Sequence, residues 1–262
     1  MNLELAFDPL FRVPLLLGLT LAVVLPVLGV FSRMRDEWLG ALGYTHVAAA
    51  GALASGFLHW PVLICALGAA AVAALLKGAV RRPGNDLYAA MTIAGWAIAL
   101  LLAANSDHGE VLGETLLRGQ LYFATAPQLW LALGMAIATL AGLRWLSPRL
   151  LRQRFFPDHY RANREPAWPH EAVFAVLLIG TLVIATSAVG AMAAFALIFV
   201  PPWVAFGVCR SWRQALVFAP LCGAVAYLAA LAGALAFDQP AGPAIVVALL
   251  ALLPLRLLPR MR

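Results

Sequence analysis

Residues 172–208 read AVFAVLLIGTLVIATSAVGAMAAFALIFVPPWVAFGV, and no charged side chain interrupts them. Crossing a bilayer takes about 20 mostly apolar residues as a helix. This run therefore holds two spans, 172–186 and 189–208. The division at Thr186-Ser187-Ala188-Val189-Gly190 leaves two alternatives open, one long helix or a half-helix that turns back. Lipid cannot hydrogen-bond a free backbone, so only helices or a closed barrel can cross it. The absence of period-two alternation favours helices.

The same rule marks 14–31, 38–58, 61–76, 87–104, 129–146, 216–237 and 243–258. The expected fold is all-α, a polytopic membrane helical bundle of about nine transmembrane helices, with eight or ten as the range, forming a single transmembrane domain over 1–262. Composition agrees: 63% of the 262 residues are hydrophobic and 11% charged, which leaves too little polar surface for a water-soluble domain. The first span has an acidic flank, Glu4 and Asp8, and no small-residue cleavage site, so it reads as retained and not as a signal peptide.

The net charge of +6 lies in short connectors between apolar segments. That distribution is a topology signal and argues against nucleic acid as a partner. It predicts an outside N-terminus and a cytoplasmic C-terminus, which leaves only Arg12 and Arg118 of the 18 basic residues outside. Glu4, Asp8, Asp107, Glu110, Glu114 and Asp238 then make the outer face anionic and attractive to cations. Two connectors are too long for turns, the outer 105–127 and the inner 147–171. The outer one carries an amphipathic run, 112–121, that reads as an interfacial or re-entrant helix; the inner one is basic and aromatic, suited to anionic lipid or a docked protein.

No phosphate loop of the GxxxxGK[ST] kind is present, so the chain has no motif for hydrolysing ATP by itself. Neither HExxH nor GxSxG occurs, which removes most support for an enzyme and leaves Asp36 and Glu37, at a membrane boundary, as the remaining acid–base pair. Cys65, Cys209 and Cys222 lack metal or redox spacing and are expected as free thiols. Within the spans, the one titratable side chain at depth apart from cysteine is His46. A neutral imidazole can ligate zinc, manganese or iron and titrates near ambient pH. Alternatively it hydrogen-bonds a neighbouring helix where Ala48, Ala49 and Gly51 permit close packing. Asp107, His108, Glu110 and Glu114 add outer ligand atoms, and Pro201-Pro202 bends its span, either for gating or as fixed packing.

Thr45-His46 followed by Gly51 resembles a motif in an early span of the integral membrane permeases of bacterial ABC importers for zinc, manganese or iron. In that family the stretch is Asp-x-x-Ser-His, and here Leu42 holds the aspartate's position. Further landmarks follow in family order: Leu117-Arg118-Gly119-Gln120-Leu121; Phe156-Pro157-Asp158 through Asn163, where the family has glycine; Val189-Gly190-Ala191-Met192 leading to Pro201; and Asp238-Gln239-Pro240-Ala241-Gly242-Pro243. The resemblance implies a homodimer, a separate cytoplasmic ATP-binding subunit and an extracytoplasmic metal-binding protein. It implies a translocation path at His46, Thr45 and Gly51, with His46 as metal ligand, and coupling to the ATPase through Phe156, Asp158, Tyr160, Arg161 and Arg164. No permanently bound cofactor is expected; the metal is cargo, and a span core without carboxylates favours zinc over manganese. The rival readings are a proton-coupled secondary transporter using His46 as relay, and a non-transporting scaffold or lipid enzyme.

Overall fold

The computed structural model describes residues 11–80, 84–106, 113, 116, 119–156, 163 and 168–257. Among them are nine α-helices: α1 (Arg12–Met34), α2 (Gly40–Leu58), α3 (Val62–Ala79), α4 (Asn85–Ala104), α5 (Ala126–Phe155), α6 (Trp168–Val189), α7 (Ala191–Val208), α8 (Trp212–Phe237) and α9 (Ala241–Leu250). Two 3-10 turns, Leu121–Phe123 and Leu253–Leu257, complete the described elements, with no strand among them. Each expected span corresponds to one helix. Seven are long and apolar enough to cross a membrane, and α3 and α9 are two further apolar helices.

Two boundaries differ from expectation for physical reasons. Residues 147–155, read as connector, continue α5 as helix through Pro148. A helix of 30 residues is about 45 Å long, beyond the roughly 30 Å hydrocarbon core. One end of α5 therefore projects out of the bilayer, carrying Arg149 and Arg152. Arg149 is anchored there: its guanidinium donates to the Trp145 carbonyl at 2.7 Å and lies 4.0 Å over the Trp145 ring. The last span is α-helical only to Leu250 and continues as a turn and a 3-10 segment.

The division inside 172–208 is resolved as two helices meeting at Gly190. Its φ of +91° is closed to most side chains, so the chain changes direction there at little steric cost. In the bundle, α1 packs on α7 and α8, α2 packs on α3 and α4, and α6 touches both groups. Lipid supplies little hydrophobic drive between helices, so close backbone approach holds them. Gly29 of α1 lies against the Ile198 carbonyl of α7, and Gly223 of α8 against the Ala22 carbonyl. By contrast α4 shows Ile93, Trp96, Ile98 and Leu101 on its outer side.

The bundle has two chemically distinct ends. At one, Glu37 between α1 and α2 accepts from Lys77 of α3 at 2.9 Å and pairs with Arg35 at 3.4 Å. The same end carries Arg33, near Arg256. At the other, the Tyr122 hydroxyl donates to the Gln239 carbonyl at 3.2 Å, and the Phe11 ring meets Tyr122 edge-on at 6.3 Å. The start of α1 and the last 3-10 turn thus lie at opposite ends, as an odd number of crossings requires.

Candidate functional site

α2 carries the residues that the sequence singles out, and its two flanks are set by small side chains. On one flank, a β-carbon added at Gly51 would stand 2.6 Å from the Cys65 carbonyl oxygen of α3. On the other, a β-carbon at Gly95 of α4 would stand 2.7 Å from the His46 carbonyl carbon and the Val47 nitrogen. Gly51 is therefore a packing position in this structure, a place where α2 and α3 approach closely.

Thr45 and His46 converge on one acceptor. The Thr45 hydroxyl donates to the Leu42 carbonyl at 2.9 Å, and His46 Nδ1 lies 2.9 Å from the same oxygen. A carbonyl can only accept, so Nδ1 carries the proton, and in the neutral ring Nε2 keeps its lone pair. Thr45 is fully buried and His46 nearly so. The imidazole lies 6.3 Å from the Trp96 ring of α4. Among the described residues, no three His, Cys, Asp or Glu side chains gather as a metal cluster.

A cavity of about 330 Å³ lies beside a different face of α2, at the end of the bundle away from Glu37. Ala48 and Ala52 of α2 line it, with Val62 and Ala66 of α3, Leu131 of α5 and Ile184 of α6. Gln120, Gln128, Thr186 and Ser187 also line it; the sequence marks Thr186 and Ser187 only as a span division and Gln120 only within a family landmark, none as a site residue. The Ser187 hydroxyl donates to the Ile184 carbonyl at 2.9 Å, whereas Thr186 Oγ1 is buried with no hydrogen-bond partner among the described residues. The signal for them was present: two adjacent hydroxyl residues interrupt an apolar run just before Gly190. What was not visible is that this break faces a hollow.

The connector before α5 packs onto that break. Gln120 N–H donates to the Ala188 carbonyl at 3.0 Å, satisfying one of the last carbonyls of α6, which have no acceptor role left within the helix. Gly119 has φ +80°, and any β-carbon there would overlap the Val189 carbonyl group. Of the motif Leu117 to Leu121, Gly119 is thus the residue that lets two backbones meet. The expected amphipathic run 112–121 lies mostly outside the described residues, as do Arg118, Asp107, His108, Glu110 and Glu114.

Residues 7–258 match the profile of the ABC 3 transport family, nearly the whole chain. The chain belongs to the ABC 3 transport family. As a family member it is a transport component and not an enzyme, the ATPase being a separate subunit, and the rival readings as a secondary carrier or a lipid enzyme are not favoured. It is similar to the chelated iron transport system membrane protein YfeD of Yersinia pestis, 24% identical over 244 residues, covering 91% of this chain and 82% of that protein. Among solved structures it resembles PsaBC from Streptococcus pneumoniae in complex with Fab, with a TM-score of 0.85 at 18% identity over 98% of this chain and 94% of that one. A second structure, an inward-facing conformation, aligns at a TM-score of 0.72 and 17% identity, over 97% of this chain and 87% of that one. At such identities the likeness establishes the fold of a family permease.

The remaining site residues divide by position. Phe156 follows the projecting end of α5, 66% exposed, its N–H donating to the Arg152 carbonyl at 2.8 Å. Asp158, Tyr160, Arg161 and Arg164 lie outside the described residues. At the same end as Arg33, Glu37 sits in a partly buried ion-pair network. Burial alone would push its carboxyl pKa up, but Arg35 and Lys77 outweigh burial and hold it below the usual carboxylate value. The sequence offers Glu37 only beside Asp36, as a boundary acid–base pair; its partner Lys77 stands 40 positions away, and the packing of α2 against α3 brings them together. All three cysteines are buried and free.

Proposed function

We propose that this permease moves a divalent transition metal, zinc first among the choices, inward across the membrane as a homodimer. A cytoplasmic ATP-binding subunit drives it, and an extracytoplasmic metal-binding protein delivers the cargo. The N-terminus is outside and the C-terminus cytoplasmic, because that threading leaves the basic connectors inside. The observation that carries the metal reading is the His46 hydrogen bond. Ligating histidines almost always donate their second ring N–H to a carboxylate or a carbonyl, which fixes the ring and presents the other nitrogen. His46 has that arrangement already, with Nδ1 against the Leu42 carbonyl at 2.9 Å. Supplied by a backbone atom, this orienting contact does not depend on the side chain at 42, where the resemblance calls for an aspartate. Thr45 adds a hydroxyl on the same carbonyl. Gly51 holds α2 against α3 so that the path keeps its shape. The resemblance to an iron-transport membrane protein supports a metal as cargo.

The projecting α5 supports the coupling role. It carries Phe156 beyond the bilayer, and Asp158, Tyr160, Arg161 and Arg164 come next in the sequence, the set that the resemblance assigns to the ATPase contact. Closure of the ATPases moves this element and tilts α5, and a bistable helix packing converts that motion into outward-open and inward-open states.

Reconstituting the chain with its ATPase in liposomes containing a zinc-sensitive dye tests the reading. His46→Ala is expected to slow zinc uptake by about tenfold or more while leaving the melting temperature unchanged, the scale seen when metal-site groups are removed. Unchanged uptake in that variant removes His46 from the path. Uptake by the chain alone, driven by a pH gradient, overturns the ATPase-driven reading.

A further inference from the structure

At the Glu37 end of the bundle a narrow crevice between α1 and α7 is lined by Ser32, Arg33, Trp38, Phe199 and Pro202. Two donors in it have no hydrogen-bond partner among the described residues, Ser32 Oγ and Arg33 Nη1, and both atoms are buried. Leaving such donors unsatisfied is costly, most of all for a charged group. A second cation makes the arrangement harder to account for by packing alone. Arg256 lies close enough to Arg33 to repel it, and Asp36 offsets only part of that. Arg256 is held in place by this fold: its guanidinium lies 4.4 Å over the Trp203 ring. Its side chain also fills the space above Gly207, where a β-carbon would come within 2.8 Å of Nε.

Around these cations stands an aromatic row. Phe195, Phe199 and Trp203 stack along α7 at 5.4 and 5.5 Å, Trp38 meets Phe199 at 5.1 Å, and the Arg33 guanidinium is 5.8 Å from the Phe199 ring. Tryptophans with arginines at the end of membrane helices mark headgroup depth. Guanidinium groups recognise phosphate oxygens by paired, charge-assisted hydrogen bonds. We infer that Arg33 and Arg256 form a headgroup site for an anionic phospholipid. The crevice is too narrow to admit a phosphate, so the phosphodiester seats at its mouth, between the two guanidinium groups. The lipid source is favoured over a soluble anion because the tryptophan rings place the site in the interface. The site is independent of the transported cargo and of which leaflet it faces, since both leaflets carry phosphodiesters.

Native mass spectrometry of the full chain in mild detergent, titrated with phosphatidylglycerol or phosphatidylcholine, tests this. Phosphatidylglycerol adducts should exceed phosphatidylcholine adducts, and Arg256→Gln should lower them about fivefold, the equivalent of about 1 kcal/mol for one basic group near a lipid surface. Gly207→Ala, which displaces Arg256 without removing its charge, should lower them as well. Arg213→Gln, a basic residue at the start of α8 outside the crevice, should leave them unchanged. Equal binding of the two lipids, equal losses in Arg256→Gln and Arg213→Gln, or full retention in Arg256→Gln each overturn the site. Displacement of the lipid by millimolar inorganic phosphate overturns the lipid assignment in favour of a soluble anion. Loss of ATPase stimulation with lipid binding intact makes the patch a protein contact, which also overturns it.

Discussion

Replacing Glu37 by Gln removes the acceptor charge from a network that ties the α1–α2 connector to the end of α3. Glu37 Oε1 is 2.9 Å from Lys77 Nζ and 3.4 Å from Arg35 Nη2, and the three side chains are only 20%, 16% and 11% exposed. At 2.9 Å, Coulomb's law gives about 6 kcal/mol of attraction at an effective dielectric constant near 20 and about 1.4 kcal/mol in bulk water. Desolvation of the three groups offsets much of the larger figure. Fully buried pairs lose about 3–5 kcal/mol when one partner is deleted, and exposed ones about 0–1, so this partly buried network should lose about 2 kcal/mol. The pH dependence has a definite sign. Because the folded-state carboxyl pKa lies below the reference value of 4.5, the folded protein holds fewer protons than the unfolded one in that window. The contribution is fully present above pH 4.5 and is lost as pH falls through the lowered folded value. Thermal unfolding in detergent at neutral and acidic pH, followed by intrinsic tryptophan fluorescence, measures both effects. Glu37→Gln should melt earlier at neutral pH, and the gap should close in acid. Lys77→Met in the Glu37→Gln background should add less than it costs alone. An equal melting temperature at neutral pH, or a gap independent of pH, refutes the argument.

Gly119→Ala should destabilise the protein by about 1–3 kcal/mol, because φ is +80° and a β-carbon would overlap the Val189 carbonyl; an unchanged melting temperature would mean that the connector does not dock on the α6–α7 break. Thr139→Val breaks the 3.1 Å hydroxyl contact between α5 and Thr181 of α6, yet Thr181 keeps its bond to the Leu177 carbonyl, so the loss should stay near the 0.6 kcal/mol average for such pairs, roughly, and below about 2 by chemical unfolding in mixed micelles. Phe156→Ala should leave folding intact, since the ring is 66% exposed, and should reduce stimulation of the partner ATPase; full stimulation would remove Phe156 from the coupling contact.

How much could be read from one dimension follows from the solvent. A lipid-embedded helix is apolar along its length, so hydropathy located the spans of α1 to α9, while the division within 172–208 stayed open until the structure showed the break at Gly190. Thr186 and Ser187 mark an interruption of the apolar run, but its meaning as a break is decided by the φ of +91° at Gly190. The extension of α5 to Phe155 was not legible, because its final turns are polar and basic, and a rule built on apolar length stops at the membrane surface.

The uniform greasiness that reveals the spans also hides their contacts. Lipid-facing and helix-facing sides are equally apolar, so no periodicity tells that Ala48 and Ala52 line a cavity while Gly51 meets α3 and His46 lies toward α4. Nor does the sequence record that Glu37 finds Lys77, or that Arg33 and Arg256 stand together at one end. Sequence fixes which segments enter the bilayer, because transfer into lipid depends on composition. Tertiary structure alone decides which faces meet, because between membrane helices that choice rests on close backbone approach and a few polar contacts between residues far apart in the chain.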